Sequence, residues 1–505
     1  MRDSRALFAA TVLPALAALA LRLYDLGGKP LWLDEIITQK RALLPLSALI
    51  SNSLINKHFP SYFVLVRAFD APVINEWLLR LPSAIFGSVA VLLAALIAAR
   101  ACAPRAGFVA GMLMALSPIE VQFGQEARSY ALVSCLVLLA LWGLVRIAQR
   151  PPTGTAMPGA LHAGSRRCAL SGWAAYALGT VAALNVLLVA AVWWLTSNFA
   201  MAVIIACARA GRAWLVRRWM LLQAVIVLIW LPGVVALYRA GGEDQLRGFN
   251  WIAPSTFAHV STVLSAVYMF RSSNMTTFAL LPAPLPWLGG IIIVFALFGL
   301  WQLRRDRNLL AAIGLTAVAM PAIMLIVSIF HPVWVPRYLL WGTGAFYALV
   351  GIGAAALPRR LFPWAAVLLI VGGAANLAPY YRAETKPRWD LADQYLAAHA
   401  RPADVIAASD YPAKYALRAY ASRYGLKVPI LDGYKGVAAL GTDPPSRVFV
   451  VYGRGGGTML AEQTYRQKWS PLGPPVDTVR FGKDVVLWRF EPGGPAAAAA
   501  PRKGQ

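Results

Sequence analysis

Charge is scarce in this chain, and acid scarcest of all. Only 14% of the 505 residues are Asp, Glu, Lys or Arg, against 59% hydrophobic, a balance that excludes disorder, a collagen-like chain, a coiled coil and an ordinary water-soluble globule. Acids number 22 against 47 bases, leaving a formal net charge of +25. Cysteine is nearly absent: Cys102, Cys135, Cys168 and Cys207 fall within apolar stretches or at their ends, so neither a disulfide framework nor a cysteine-based metal site is expected. The sequence also lacks a GxxxxGK[ST] phosphate loop, a GxGxxG turn ahead of a helix and an HExxH pair, so nothing points to ATP hydrolysis, a nicotinamide cofactor or a zinc protease.

What is present is a succession of apolar runs of membrane-crossing length: residues 6–24, 78–99, 105–123, 129–147, 169–184, 186–208, 218–239, 285–303, 309–330, 338–356 and 361–379. They predict an all-α polytopic membrane protein of about eleven spans, with the first retained rather than cleaved as a signal peptide, because Leu21-Arg-Leu-Tyr-Asp follows it in place of a small-x-small site. Residues 173–208 lack charge yet are too long for one crossing, so a turn is expected near Asn185 or near 196–198. With the N-terminus in the cytoplasm, Arg100, Arg105, Arg146, Arg166, Arg209, Arg217, Arg304, Arg305, Arg359 and Arg360 all face inward. The basic excess is thus explained by topology, and no nucleic-acid partner is expected. The same orientation puts Asp25, Asp34, Glu35, Asp70, Glu76, Glu120, Glu126, Glu243 and Asp244 on the outer side.

The expected organisation is a membrane domain over residues 1–380, with outer loops at 24–77 and 239–284, then a small outer-face α/β domain at 381–491 and a disordered tail at 492–505. Within the second domain, residues 389–400 and 414–422 read as helices, and 404–408, 447–452 and 485–490 as strands.

Three outer segments carry candidate chemistry. In Lys29-Pro-Leu-Trp-Leu-Asp-Glu-Ile-Ile-Thr, two adjacent acids sit among apolar neighbours, where lost hydration makes a carboxylate a better proton acceptor; the alternative is that Asp34 merely caps a helix beginning at Glu35. Ser117-Pro-Ile-Glu-Val-Gln-Phe-Gly-Gln-Glu-Ala-Arg-Ser-Tyr places Glu126, Arg128 and Tyr130 at the lipid boundary, where ionisable groups are costly unless paired or functional; here the alternative is an interfacial anchor. His331-Pro-Val-Trp-Val-Pro-Arg-Tyr offers Arg337, whose guanidinium suits phosphate oxygens, beside Tyr338. His58 is a weaker candidate for a metal or a substrate hydroxyl, and residues 255–270 form an amphipathic stretch suited to lying on the membrane or covering a site.

In order along the chain, Leu21-Arg-Leu-Tyr-Asp-Leu-Gly-Gly-Lys-Pro-Leu-Trp-Leu-Asp-Glu, Leu79-Arg-Leu-Pro-Ser-Ala-Ile-Phe-Gly, Leu116-Ser-Pro through Gln125-Glu-Ala-Arg-Ser-Tyr, Phe249-Asn-Trp-Ile-Ala-Pro, Val335-Pro-Arg-Tyr-Leu-Leu and Arg388-Trp-Asp-Leu-Ala-Asp-Gln-Tyr-Leu resemble the bacterial branch of the dolichyl-phosphate-mannose protein mannosyltransferases. These are membrane glycosyltransferases of the GT-C fold, and the resemblance covers about residues 15–425. It implies inverting transfer from a polyprenyl-phosphate sugar to a lipid, cell-envelope glycan or protein acceptor on the outer side of the cytoplasmic membrane. By resemblance, Asp34 would be the base, Glu35 would orient acceptor or base, Glu126 would be the second acid, and Arg128 and Arg337 would hold the leaving phosphate, with Tyr130, His58 and Tyr338 in the substrate site. The chain departs from the family in having His58-Phe-Pro where His-Pro-Pro is usual, Leu184-Asn-Val where a histidine-containing turn is usual, and Ile36-Ile-Thr after the acid pair. No metal ligand is carried over, which leaves any divalent metal unassigned. A transporter or flippase of lipid-linked sugars is the alternative from another class, although it would be expected to keep ionisable groups near the bilayer midplane. A scaffold subunit with decayed catalytic residues is a third.

Overall fold

The computed structural model describes residues 2–69, 73–149, 163–241, 252, 255–274, 277–438, 447–453 and 462–491, without the side chains of 2–4 and 163–170. Asp70, Arg150, Glu243, Asp244, the Phe249-Asn-Trp segment and the tail lie outside the described residues, as do the side chains of Arg166 and Cys168.

The chain opens with α1 (Arg2–Leu23), followed by three short helices in the first predicted outer loop: α2 (Leu33–Ala42), α3 (Leu46–Ile55) and α4 (Ser61–Arg67). The long helix α5 (Glu76–Ala101) is capped by Asn75, whose side chain accepts from Leu78 N. Next come α6 (Pro104–Leu116), α7 (Pro118–Gly124), α8 (Tyr130–Ala148), α9 (Ala163–Val186), α10 (Ala191–Cys207), α11 (Arg212–Gly241), α12 (Phe257–Tyr268) and α13 (Leu288–Leu303). The three residues of α14 (Arg307–Leu309) continue through a π-helical turn at Leu310–Gly314 into α15 (Leu315–Phe330), and α16 (Leu340–Ala355) and α17 (Phe362–Arg382) complete the apolar part.

The predicted apolar stretches are helical, and among the described residues they differ in length. Among the described residues seven are long and apolar enough to cross a membrane, and the bent pair α6–α7 makes an eighth. The helices α13 and α16, at 16 residues each, rise about 24 Å, short of a hydrocarbon core of about 30 Å. Residues 105–123, read above as one span, bend by 62° between α6 and α7. The cause is local: Pro118 disfavours helical backbone at Ser117, which is extended at φ −61°, ψ 121°. The turn within residues 173–208 falls just past Asn185, where Leu187 is extended and α9 ends.

The interior is built on α16, all of whose residues are buried, packed between α5, α6, α8 and α13. Small residues allow this closeness. A methyl group on Gly353 would collide with the Phe295 carbonyl oxygen of α13, and one on Gly299 with that of Leu349, so the two backbones touch directly. The helix α11 is the opposite case, with Met220, Leu221, Leu228 and Ile229 exposed as on a lipid-facing surface.

The C-terminal α/β unit holds a five-stranded sheet in the order β2-β1-β3-β5-β4. In chain order it comprises α18 (Trp389–His399), β1 (Val405–Ala408), α19 (Tyr411–Tyr424), β2 (Ile430–Asp432), α20 (Gly433–Ala438), β3 (Val448–Gly453), α21 (Glu462–Trp469), β4 (Asp477–Phe481) and β5 (Val485–Phe490). The strand β1 pairs in parallel with β2 and β3, and the antiparallel hairpin β4–β5 adds to β3. The helices and strands predicted for this unit are present. The sequence reading missed β2, only three residues long, and β4, whose Arg480 and alternating exposure mark an edge.

Candidate active site

The first predicted outer loop folds back on the helix ends through one arginine. Arg80, in the first turns of α5 and 1% exposed, uses all five of its donors on that loop. Nε and Nη2 donate to Glu35 Oε1 and Oε2 at 2.7 and 2.9 Å, Nη1 donates to the Leu26 and Lys29 carbonyls at 2.9 and 2.7 Å, and Nη2 donates to the Pro30 carbonyl at 2.9 Å. Glu35 also accepts from Lys386 Nζ at 2.7 Å and from the Ala127 amide at 3.0 Å. This fully buried carboxylate therefore ties together α2, α5, the turn before α8 and the segment after α17. Burial alone would raise its pKa, but the Arg80 and Lys386 cations reverse that and hold it well below the usual carboxylate range. Burial and the Arg80 charge in turn bring the Lys386 ammonium down to about 8, with Glu35 opposing.

Asp34 faces the other way. Trp32, not Asp34, is the N-cap of α2, which begins two residues earlier than the capping alternative supposed, and the Asp34 side chain is left for other work. It is one-quarter exposed and accepts from Arg337 Nη1 at 3.0 Å, with Arg128 Nη2 at 3.9 Å. The interfacial-anchor alternative thus fails for Arg128, because its guanidinium group, like that of Arg337, turns inward onto the carboxylate. Arg337 Nη1 also lies 3.4 Å from the Tyr130 hydroxyl, and both guanidinium groups sit about the Tyr130 ring, at 5.7 Å for Arg128 and 5.9 Å for Arg337. Tyr338 packs edge-on against Tyr130 at 6.4 Å. The turn bearing Arg337 is held by α12, whose His259 Nε2 lies 2.8 Å from the Trp334 carbonyl; the predicted amphipathic stretch thus packs on the site's rim.

Glu126 is wholly buried. Its Oε1 accepts from Trp32 Nε1 at 3.2 Å, and its Oε2 has no partner among the described residues. Burial pushes this carboxyl up to about 8, with Lys386 opposing and the Glu35 and Asp34 carboxylates adding to the rise. His58 stacks on Phe63 at 6.0 Å, and burial beside Arg128 and Arg41 brings its imidazole down to about 4. Thr38 accepts from Arg128 Nη1 at 3.5 Å. No group of three or more His, Cys, Asp or Glu residues suited to a metal ion occurs among the described residues.

Asp34, Glu35, Glu126, Arg128, Tyr130, Arg337 and Tyr338, drawn from three separate stretches of sequence, thus converge on one place, with His58 at its edge. Sequence reasoning missed Arg80, Lys386 and Arg41, the last 5% exposed with Nη1 unpartnered. A signal did exist for Arg80, an arginine inside an apolar run, whereas none existed for Lys386.

The arrangement is a lone accessible carboxylate flanked by guanidinium groups, set at one end of a helical membrane body beside a small α/β unit. The architecture is the GT-C fold of membrane glycosyltransferases. The apo structure of ArnT from Cupriavidus metallidurans is similar over 97% of this chain and 99% of that one, with a TM-score of 0.58 and 17% identity. The form of that protein bound to undecaprenyl phosphate is similar over 95% and 98%, at 0.55 and 15%. The archaeal oligosaccharyltransferase AglB from Archaeoglobus fulgidus, in complex with an inhibitory peptide and a dolichol-phosphate, is similar over 88% of this chain and 69% of its own, at 0.53 and 12%. No protein-family model matches the sequence. No curated protein matches it either.

Proposed function

We propose that this protein transfers a sugar from a polyprenyl-phosphate donor to an acceptor hydroxyl at the outer side of the cytoplasmic membrane. The N-terminus is then cytoplasmic and residues 381–491 form the extracytoplasmic domain. The single observation that carries the reading is Asp34, the accessible carboxylate of the site, bracketed by Arg337 and Arg128. A base and a phosphate-binding pair side by side are what displacement at an anomeric carbon needs when a phosphate leaves. The acceptor hydroxyl gives its proton to Asp34 as its oxygen bonds to the anomeric carbon. The bond from that carbon to the phosphate oxygen breaks, and its electrons leave with the polyprenyl phosphate, whose charge Arg337 and Arg128 take up. Configuration at the carbon inverts.

In this scheme Glu35 does not touch substrate. Its saturated hydrogen bonding fits a strut that fixes the loop from which Asp34 projects. Glu126, neutral below about pH 8 and with one oxygen uncommitted, is suited to hydrogen-bonding a substrate group. Undecaprenyl phosphate in one structural neighbour and dolichol-phosphate in another support a carrier of that class as donor here. The sugar, hexose or pentose, and the acceptor, a lipid, an envelope glycan or a protein, are open within this reading.

The test compares the envelope lipids and glycans of cells lacking the protein with those of cells complemented by wild type or by Asp34→Asn. A glycan or lipid that loses one sugar mass, restored by wild type alone with equal membrane insertion of both proteins, is the expected result. Full rescue by Asp34→Asn would remove the base, and carrier transport would become the better account.

A further inference from the structure

The reacting loop is gripped from above as well as from within. Leu31 lies just before the N-cap of α2, so its buried amide has no partner within that helix. The partner comes from 389 residues along the chain: Leu31 N donates to the Tyr420 hydroxyl of α19 at 2.7 Å. The same hydroxyl donates to Glu76 Oε1 at 3.0 Å, and Arg423 Nη1 grips both oxygens of Glu76 at 2.6 and 2.8 Å. Tyr420 is fully buried and Glu76 nearly so. Tyr420 and Arg423, three apart on one face of α19, thereby join the first turn of α5 to the residue three places ahead of Asp34.

The helix that carries them is locally well defined. Asp410 caps it by accepting from Ala413 N at 2.9 Å, and Gly425, at φ +67°, ends it in the left-handed conformation that glycine allows. The clamp is therefore presented on a rigid element, and it meets the loop at a backbone amide.

We propose that Tyr420 and Arg423 are positioning residues for Asp34, so that the C-terminal α/β unit forms part of the reaction apparatus. The inference rests on the proposed function for its kinetic part alone. In this view the unit sets where α2 begins, and with it the direction of the Asp34 side chain toward the acceptor.

The experiment uses the full chain in proteoliposomes with Tyr420→Phe, which deletes one oxygen, and with Arg423→Lys beside Arg423→Ala. Two readouts are taken: amide hydrogen exchange over residues 29–36, and steady-state transfer from a polyprenyl-phosphate sugar. Tyr420→Phe is expected to raise exchange at 29–36 and lower kcat about tenfold, with the donor KM changed less than about twofold. Arg423→Lys is expected to retain more kcat than Arg423→Ala. Unchanged exchange and kcat in Tyr420→Phe would overturn the proposal, as would raised exchange with unchanged kcat, because the clamp would then exist without positioning anything. A fall confined to donor KM would likewise overturn it. If wild type transfers no sugar from any carrier, the functional reading falls, and the exchange contrast upholds or removes the clamp by itself.

Discussion

Arg80→Lys keeps the charge of the buried arginine and should nevertheless disable the site. The wild-type guanidinium fills five donor positions on Glu35 and the Leu26, Lys29 and Pro30 carbonyls. An ammonium has three donors radiating from one point, so at least two of these five charge-assisted hydrogen bonds are lost. At about 1.5–3 kcal/mol for each hydrogen bond from a charged group, the loss of two destabilises the anchored loop by about 3–6 kcal/mol. Even about 2 kcal/mol shifts the balance between the anchored and released loop about 30-fold. In the purified full chain, amide exchange across residues 26–36 should rise and kcat for transfer should fall by at least about tenfold, while expression and membrane insertion stay normal, because α5 keeps its apolar surface. Arg80→Lys with wild-type exchange and kcat within about twofold of wild type would refute the claim that this guanidinium holds the reacting loop.

Arg337→Ala should raise the KM for the polyprenyl-phosphate donor far more than that for the acceptor, since the guanidinium 3.0 Å from Asp34 is assigned to the leaving phosphate; equal losses in initial-rate measurements would count against that role. Glu126 gives a pH signature. Its folded carboxyl is raised to about 8 from an ordinary 4.5, so the folded state binds the extra proton. Its contribution to stability is full below about pH 4.5 and is lost as pH rises through about 8. Glu126→Gln should therefore flatten the decline of the melting temperature over that window and abolish the alkaline limb of the transfer profile near pH 8, while retaining most activity at pH 7. A profile identical to wild type would show that Glu126 does not titrate there.

Much of the candidate site is legible in the sequence. Asp34, Arg128 and Arg337 stood out because a charge beside an apolar boundary is costly unless something compensates for it, and the compensation is each other. The helices were legible for the same reason, since a bilayer accepts only backbones that satisfy their own hydrogen bonds, and runs of about twenty apolar residues meet that demand. The bend at Ser117 was not read from the sequence, where residues 105–123 form a single apolar run, although Pro118 is its local cause.

The division of labour between Asp34 and Glu35 was not legible. Neighbours in a helix point about 100° apart, so the two carboxylates meet different surroundings, but sequence does not say which of them meets which. That choice was made by Arg80, 45 residues away, and Lys386, 351 residues away, which converge on Glu35 and leave Asp34 to the arginines at the opening. The sequence by itself determined the membrane body, the α/β unit and the acids and bases available to a site. Tertiary structure alone decided which carboxylate is a strut and which is accessible, because a buried charge is tolerated only where distant partners meet it, and that meeting is a property of the packed fold.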